Sequence, residues 1–259
     1  MKILAVDLGN TRCKCSVLVD GRWVQEMNWP QDSPPEARAL QAWLTKTAPD
    51  GITIAGMIAT GGSDTRWEAL LSTIGLRVLR FTGLSKGLLL NRYGTPHTLG
   101  ADRWAAINAA WGQANPNGKG STQPVLVFDL GTALTSDVAD AEGNYLGGHI
   151  SPGLLMRLNA LAHYTARLPQ LQPDLEHPPT YPGTDTASSL QVGAWLGLEG
   201  EMEHILHEAT HTLGQTPIVF LTGGDANAFE KRLKTPNFVR PHLVSEGIYQ
   251  LVALAQGRV

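Results

Sequence analysis

The feature that most restricts how this chain can fold is a short pattern that occurs twice. Asp7-Leu8-Gly9-Asn10-Thr11 closes an apolar, β-rich run from Lys2, and Asp129-Leu130-Gly131-Thr132-Ala133 closes a similar run from Val125. Each copy stands at the first turn of what reads as a three-strand meander. The first meander is Lys2 to Leu8, Cys13 to Val19 and Arg22 to Met27, with Asp20-Gly21 as a hairpin turn. The second is Val125 to Leu130, Ala133 to Ala139 and Tyr145 to Ile150, with a turn at Glu142-Gly143-Asn144. Two polar turns in equivalent contexts predict an internal duplication of a β-β-β unit, the turns facing one another across a cleft.

Helices and further strands follow each meander. Ser33, Pro34 and Glu36 predict a capped helix running to about Thr47, and Ile52 to Ala59 reads as a buried strand. Asp64 is placed to cap a helix carrying Trp67, Leu70, Leu71 and Ile74, stopped by Gly75 and followed by a strand at Arg77 to Phe81. A further helix is expected from about Asp102 to Trp111. Gly112 to Pro124 is the clearest break in composition and sets expected domains of 1–117 and 118–259. Helices at about Leu154 to His163 and Ser188 to Thr212, a strand at Ile218 to Leu221 and a closing helix from Ser245 are expected to complete the second domain.

Composition narrows the class. With 42% hydrophobic and 17% charged residues in 259, the chain is a globular α/β protein and not a disordered one. No apolar run approaches the roughly 18 residues of a membrane span, and Ile3 to Val6 is too short for a signal-peptide core. A net charge of -3 offers no basic field for nucleic acid or anionic lipid. Cys13 and Cys15 form neither a disulfide framework nor a metal set, so a cytoplasmic location is expected.

A strand that ends in Asp, then Gly and Asn or Thr, presents several backbone N–H groups around bare backbone, a concave nest for phosphate oxygens. Its carboxylate can hold a cation or a bridging water. The ordinary alternative for one copy is a hairpin turn, but the second copy favours phosphate. Thr222-Gly223-Gly224-Asp225 follows a strand and precedes a helix, a placement that suits a nucleotide. The similar Thr60-Gly61-Gly62 reads as a turn ahead of Asp64. Gly112 to Lys119 fails as a P-loop in spacing, and Gly120 stands where Ser or Thr is required. His204, His207 and His211 share a helical face near Glu208, which reads as a solvated or subunit-facing surface rather than a metal site. Asp102, at a helix start, is an N-cap or the acceptor of a hydroxyl proton in phosphoryl transfer. There the position argues for an ionised carboxylate, a poor strong base. Arg103 beside it suits a carboxylate or phosphoryl group.

These motifs, taken in order, resemble the type III pantothenate kinases. The resemblance runs nearly end to end, through Asp7 to Thr11, Tyr93-Gly94-Thr95-Pro96-His97-Thr98-Leu99-Gly100-Ala101-Asp102-Arg103, Asp129 to Asp137, Gly147 to Gly153, Thr165 to Pro169, Thr186 and Thr222 to Gly224. It implies a two-domain, duplicated β-β-β-α-β-α fold of the acetate and sugar kinase/Hsc70/actin (ribonuclease H-like) type. It also implies ATP-dependent phosphorylation of pantothenate to 4'-phosphopantothenate, opening coenzyme A synthesis. Carried over, Asp7, Leu8, Gly9, Asn10, Thr11, Arg12, Cys13, Lys14, Thr132, Gly223 and Gly224 would bind ATP, with Asp7 near magnesium. Asp102 would be the general base. Tyr93, Gly100, Ala101, Asp102, Arg103 and Thr186 would contact pantothenate, and Asp129 would bind potassium or ammonium. A homodimer with its substrate site at the interface is implied, and no nucleic-acid or membrane partner. The alternatives are a non-enzymatic accessory factor for transcription, since chains of the same family carry that description, or another small-molecule kinase of the same fold.

Overall fold

A computed structural model describes residues 1–9, 12–59, 65–116 and 122–258. They divide into two compact units, Met1–Gln113 with His242–Val259, and Ala114–Pro241. In the first unit β1 (Lys2–Leu8), β2 (Arg12–Val19) and β3 (Arg22–Pro30) form the meander, followed by α1 (Ala37–Thr47), β4 (Ile54–Ala59), α2 (Thr65–Thr73) and β5 (Arg77–Arg80). The two-residue strand β6 (Leu90–Asn91), a 3-10 turn at Pro96–Thr98 and α3 (Ala101–Ala114) come next. The second unit holds β7 (Val125–Leu130), β8 (Ala133–Ala139), β9 (Asn144–Pro152), α4 (Leu154–Tyr164), α5 (Thr186–Leu213), β10 (Ile218–Thr222), α6 (Ala226–Phe229) and β11 (Asn237–Val239). Helix α7 (Leu243–Ala255) closes the chain.

The duplication is explicit in the strand order. The first sheet runs β3-β2-β1-β4-β5, and the second contains the same order as β9-β8-β7-β10-β11. In each, the meander is antiparallel and the two later strands run parallel to its first. Asp20 at φ 49 and Gly21 at φ 77 give the hairpin turn read from the sequence, since both central residues of that turn need positive φ.

The two copies differ at the turn that matters. Leu8 pairs with Cys13 across residues 9–12, whereas Leu130 pairs with Leu134 across residues 131–133, so the first turn is one residue longer. Its Gly9 N–H bonds to the Arg12 carbonyl at 3.0 Å, and Gly131 N–H bonds to the Ala133 carbonyl at 3.1 Å.

Both faces of the first sheet are covered. Leu4, Val6, Leu8, Cys13, Cys15 and Val17 pack against Leu40, Trp43 and Leu44 of α1 and Trp67 and Leu71 of α2. The opposite face receives α7, where Ser245 and Ser16 hydroxyls lie 3.0 Å apart and Ser16 donates to Glu26 at 3.0 Å. A Cβ on Gly56 would lie 2.6 Å from the Cγ2 atoms of Ile248 and Val252. The closing helix, expected in the second domain, therefore belongs to the first unit, because β1 and β4 carry an apolar face that nothing earlier in the chain covers.

The start of α1 also differs from expectation. Its N-cap is Glu36, with no side-chain cap bond, and Ser33 lies outside the helix. Pro35 bars Pro34 from helical backbone, so a helix cannot begin there. The Asp64 cap and the Thr60 to Gly62 turn lie outside the described residues. No helix among the described residues is long and apolar enough to cross a membrane.

Candidate active site

The end of β1 sorts its residues by strand alternation. Asp7 faces Lys14 across the ladder, and Arg12 shares that face, so an acidic and two basic side chains stand together beside the first turn. Leu8 and Cys13 point the other way and are fully buried in the core. Of the residues expected to bind ATP, these two can offer only backbone atoms. Burial, followed by the Cys15 side chain 3.7 Å away, pushes the Cys13 thiol far up, so it is no nucleophile. Asn10 and Thr11 lie outside the described residues.

In the second unit Gly153 and the Gly223–Asp225 segment close on the turn that follows Asp129. The Thr132 carbonyl accepts from Gly153 N–H at 3.1 Å, and a Cβ on Gly153 would sit 2.2 Å from the Gly131 carbonyl oxygen. The Leu130 carbonyl accepts from Asp225 N–H at 3.0 Å. Gly223 has φ +92, and a Cβ there would lie 2.5 Å from Asp129 Oδ1 and 2.4 Å from the Leu130 carbonyl oxygen. Glycine is required twice over, by backbone angle and by space. The result is a carboxylate and carbonyl oxygens lying against bare backbone, a donor set that suits a hard cation. Among the described residues no three His, Cys, Asp or Glu side chains gather to hold a metal, so His204, His207 and His211 make no such set.

The segment before α3 brings together the residues expected to meet pantothenate. The Arg103 guanidinium lies 5.8 Å from the centre of the Tyr93 ring, a cation–π contact. Asp102 Oδ1 accepts from Arg103 N–H at 2.8 Å, folding the carboxylate back over the helix start. A Cβ on Gly100 would lie 2.5 Å from that oxygen, so the bare backbone there leaves room for the carboxylate. Burial raises the Asp102 carboxyl above its ordinary range, against the lowering pull of the Arg103 and Asp102 backbone N–H groups and the Arg103 charge. Partial burial thus works against the helix start, which by itself favours the ionised form, and a more basic carboxylate is better matched to accepting a proton.

Side-chain bonds fix the loop that leads into α3. Trp104 Nε1 donates to the Ser85 carbonyl at 2.9 Å, and the buried Asn108 Oδ1 accepts from Leu88 N–H at 2.7 Å and Leu89 N–H at 3.2 Å. These residues escaped the sequence reading. A lone Asn on a helix otherwise rich in Ala and Trp was the available signal. Thr186 opens α5 behind an Asp185–Ser188 capping box and lines a groove of about 380 Å³ with Leu161, Leu168, Ser189, Leu190 and Gly193.

Comparison with known proteins decides the family. The sequence profile described as "Type III pantothenate kinase" matches residues 3–208. The chain belongs to the type III pantothenate kinase family. It is 34% identical over 256 residues to the type III pantothenate kinase of Bacteroides fragilis (strain YCH46), covering 99% of each chain. The Flavobacterium johnsoniae member is 33% identical over 249 residues, with 96% of each covered. Among solved structures, a Baf family protein from Campylobacter jejuni superposes with a TM-score of 0.62 at 16% identity, over 98% of this chain and 99% of that one. The ethanolamine utilization protein EutJ of Carboxydothermus hydrogenoformans gives 0.52 at 16%, over 97% and 89%. At such identity the likeness shows the fold alone, and that fold is the duplicated acetate and sugar kinase/Hsc70/actin type.

Proposed function

We propose that this chain transfers the γ-phosphoryl group of ATP to the primary hydroxyl of pantothenate, giving 4'-phosphopantothenate and ADP in the cytoplasm. Family membership supports the reaction, and the observation that carries it is the half-buried carboxylate of Asp102, folded over the start of α3 next to Arg103, whose guanidinium lies on the Tyr93 ring. As the hydroxyl oxygen attacks the γ-phosphorus, its proton passes to Asp102 and the bond to the bridging oxygen of ADP breaks. Arg103 and Tyr93 hold the acceptor, Arg103 through the carboxylate its planar guanidinium matches. Arg12 and Lys14 would take phosphate oxygens, and Thr132, Gly223 and Gly224 would contact the nucleotide.

Magnesium beside Asp7 and potassium or ammonium at Asp129 would neutralise phosphate charge when bound. The bare Gly223 backbone over Asp129 Oδ1 supports that assignment. The chain would work as a homodimer with Thr186 reaching the substrate. Exposed Met156, Leu161 and Tyr164 on α4 and Leu196 on α5 support a covered face there.

The test is Asp102→Asn, which keeps the shape and removes the base. ATP affinity should hold while kcat falls by roughly 10²–10⁴. A kcat within twofold of wild type would remove Asp102 from the role.

A further inference from the structure

Tyr93 sits in a stretch with little regular structure, between a two-residue strand and a single 3-10 turn. Something other than a sheet ladder must hold its ring beside Arg103. Two residues earlier, the Asn91 side chain uses both ends of its amide. Its Oδ1 accepts from Tyr93 N–H at 2.9 Å, closing an Asx turn, and its Nδ2 donates to the Gly83 carbonyl at 2.8 Å.

Gly83 is itself fixed. A Cβ there would lie 2.6 Å from Leu99 Cβ and 2.7 Å from the Pro96 carbonyl oxygen, so its backbone is wedged against the residues that lead into Gly100 and Asp102. The half-buried Asn91 amide is thus the joint between the wedged backbone that precedes the base and the turn that carries Tyr93. The amide supplies the acceptor and the donor together. Ala offers neither bond, and Asp offers the acceptor but sets a carboxylate against a carbonyl oxygen.

We propose that Asn91 is a positioning residue for pantothenate: its amide fastens Tyr93 to the Gly83 backbone and so sets the ring against Arg103 in the acceptor site. This rests on the kinase reading above. The effect of Asn91 passes through Tyr93, whose N–H it holds.

The experiment is steady-state kinetics on the full chain and its Asn91→Ala, Tyr93→Ala and double variants, varying pantothenate and ATP separately. Asn91→Ala should raise the pantothenate KM about tenfold, with the ATP KM within about twofold. In the Tyr93→Ala background the same change should add no further rise, since the ring it positions is gone. Asn91→Asp, which keeps the acceptor for Tyr93 N–H, should give a smaller rise. It decides the matter if the alanine chain does not fold. A pantothenate KM within twofold of wild type, equal rises in the two KM values, or a full tenfold rise on top of Tyr93→Ala would overturn the positioning role while leaving the kinase in place. A wild-type chain with no pantothenate-dependent turnover would overturn both together.

Discussion

Burial and hydrogen bonding pull the Asp102 carboxyl in opposite directions, and burial is the larger effect. The sign of the consequence for stability follows from linkage. Below the unfolded-state pKa of about 3.9 both states hold the proton, and the half-buried carboxyl costs nothing in charge. As pH rises through the raised native value, the native state must ionise a group that the unfolded chain ionises more easily, and stability is lost. Asp102→Asn should therefore raise Tm at pH 7–8, with the gain shrinking towards zero near pH 3, as read by thermal melts across that range. A difference that does not change with pH would contradict the burial argument. At this scale the place of Asp102 at a helix start was legible in the sequence and its partial burial was not. A helix start argues for an ionised carboxylate, and desolvation opposes it. Leu8 and Cys13 show the converse: strand alternation alone would have turned both inward, away from any nucleotide.

Among the elements, the meanders and their turns were readable because alternation and Asp-Gly or Glu-Gly-Asn turns are local signals. The position of α7 was not, since nothing local says which sheet an apolar helix covers. Its fit is tight: a Cβ on Gly247 would fall 2.0 Å from the Ala105 carbonyl oxygen on α3. Neither backbone can move aside without unpacking the helix from β1 and β4. Gly247→Val should cost about 1–3 kcal/mol or more in a urea melt. Gly200→Ala, on α5 with nothing within 4 Å of the added carbon, should be neutral or stabilising by up to about 1 kcal/mol. A wild-type midpoint for Gly247→Val would show that α7 does not pack as described. The start of α1 carries a smaller lesson, since a Ser-Pro signal fails when a second proline follows.

For the whole molecule, the same strand order in both units accounts for two similar phosphate-type turns in one chain. The copies have diverged at that turn: the first is one residue longer, with Arg12 and Lys14 at the start of the strand that leaves it. The repeat itself was visible in the sequence; the extra residue was not, because the two motifs align without a gap at Asp, Leu and Gly. The most direct test is ADP release by the purified chain given ATP and magnesium, with and without pantothenate and with and without potassium. The account predicts turnover that depends on pantothenate and rises with potassium. A folded chain that releases no ADP in response to pantothenate, in either salt, would contradict it.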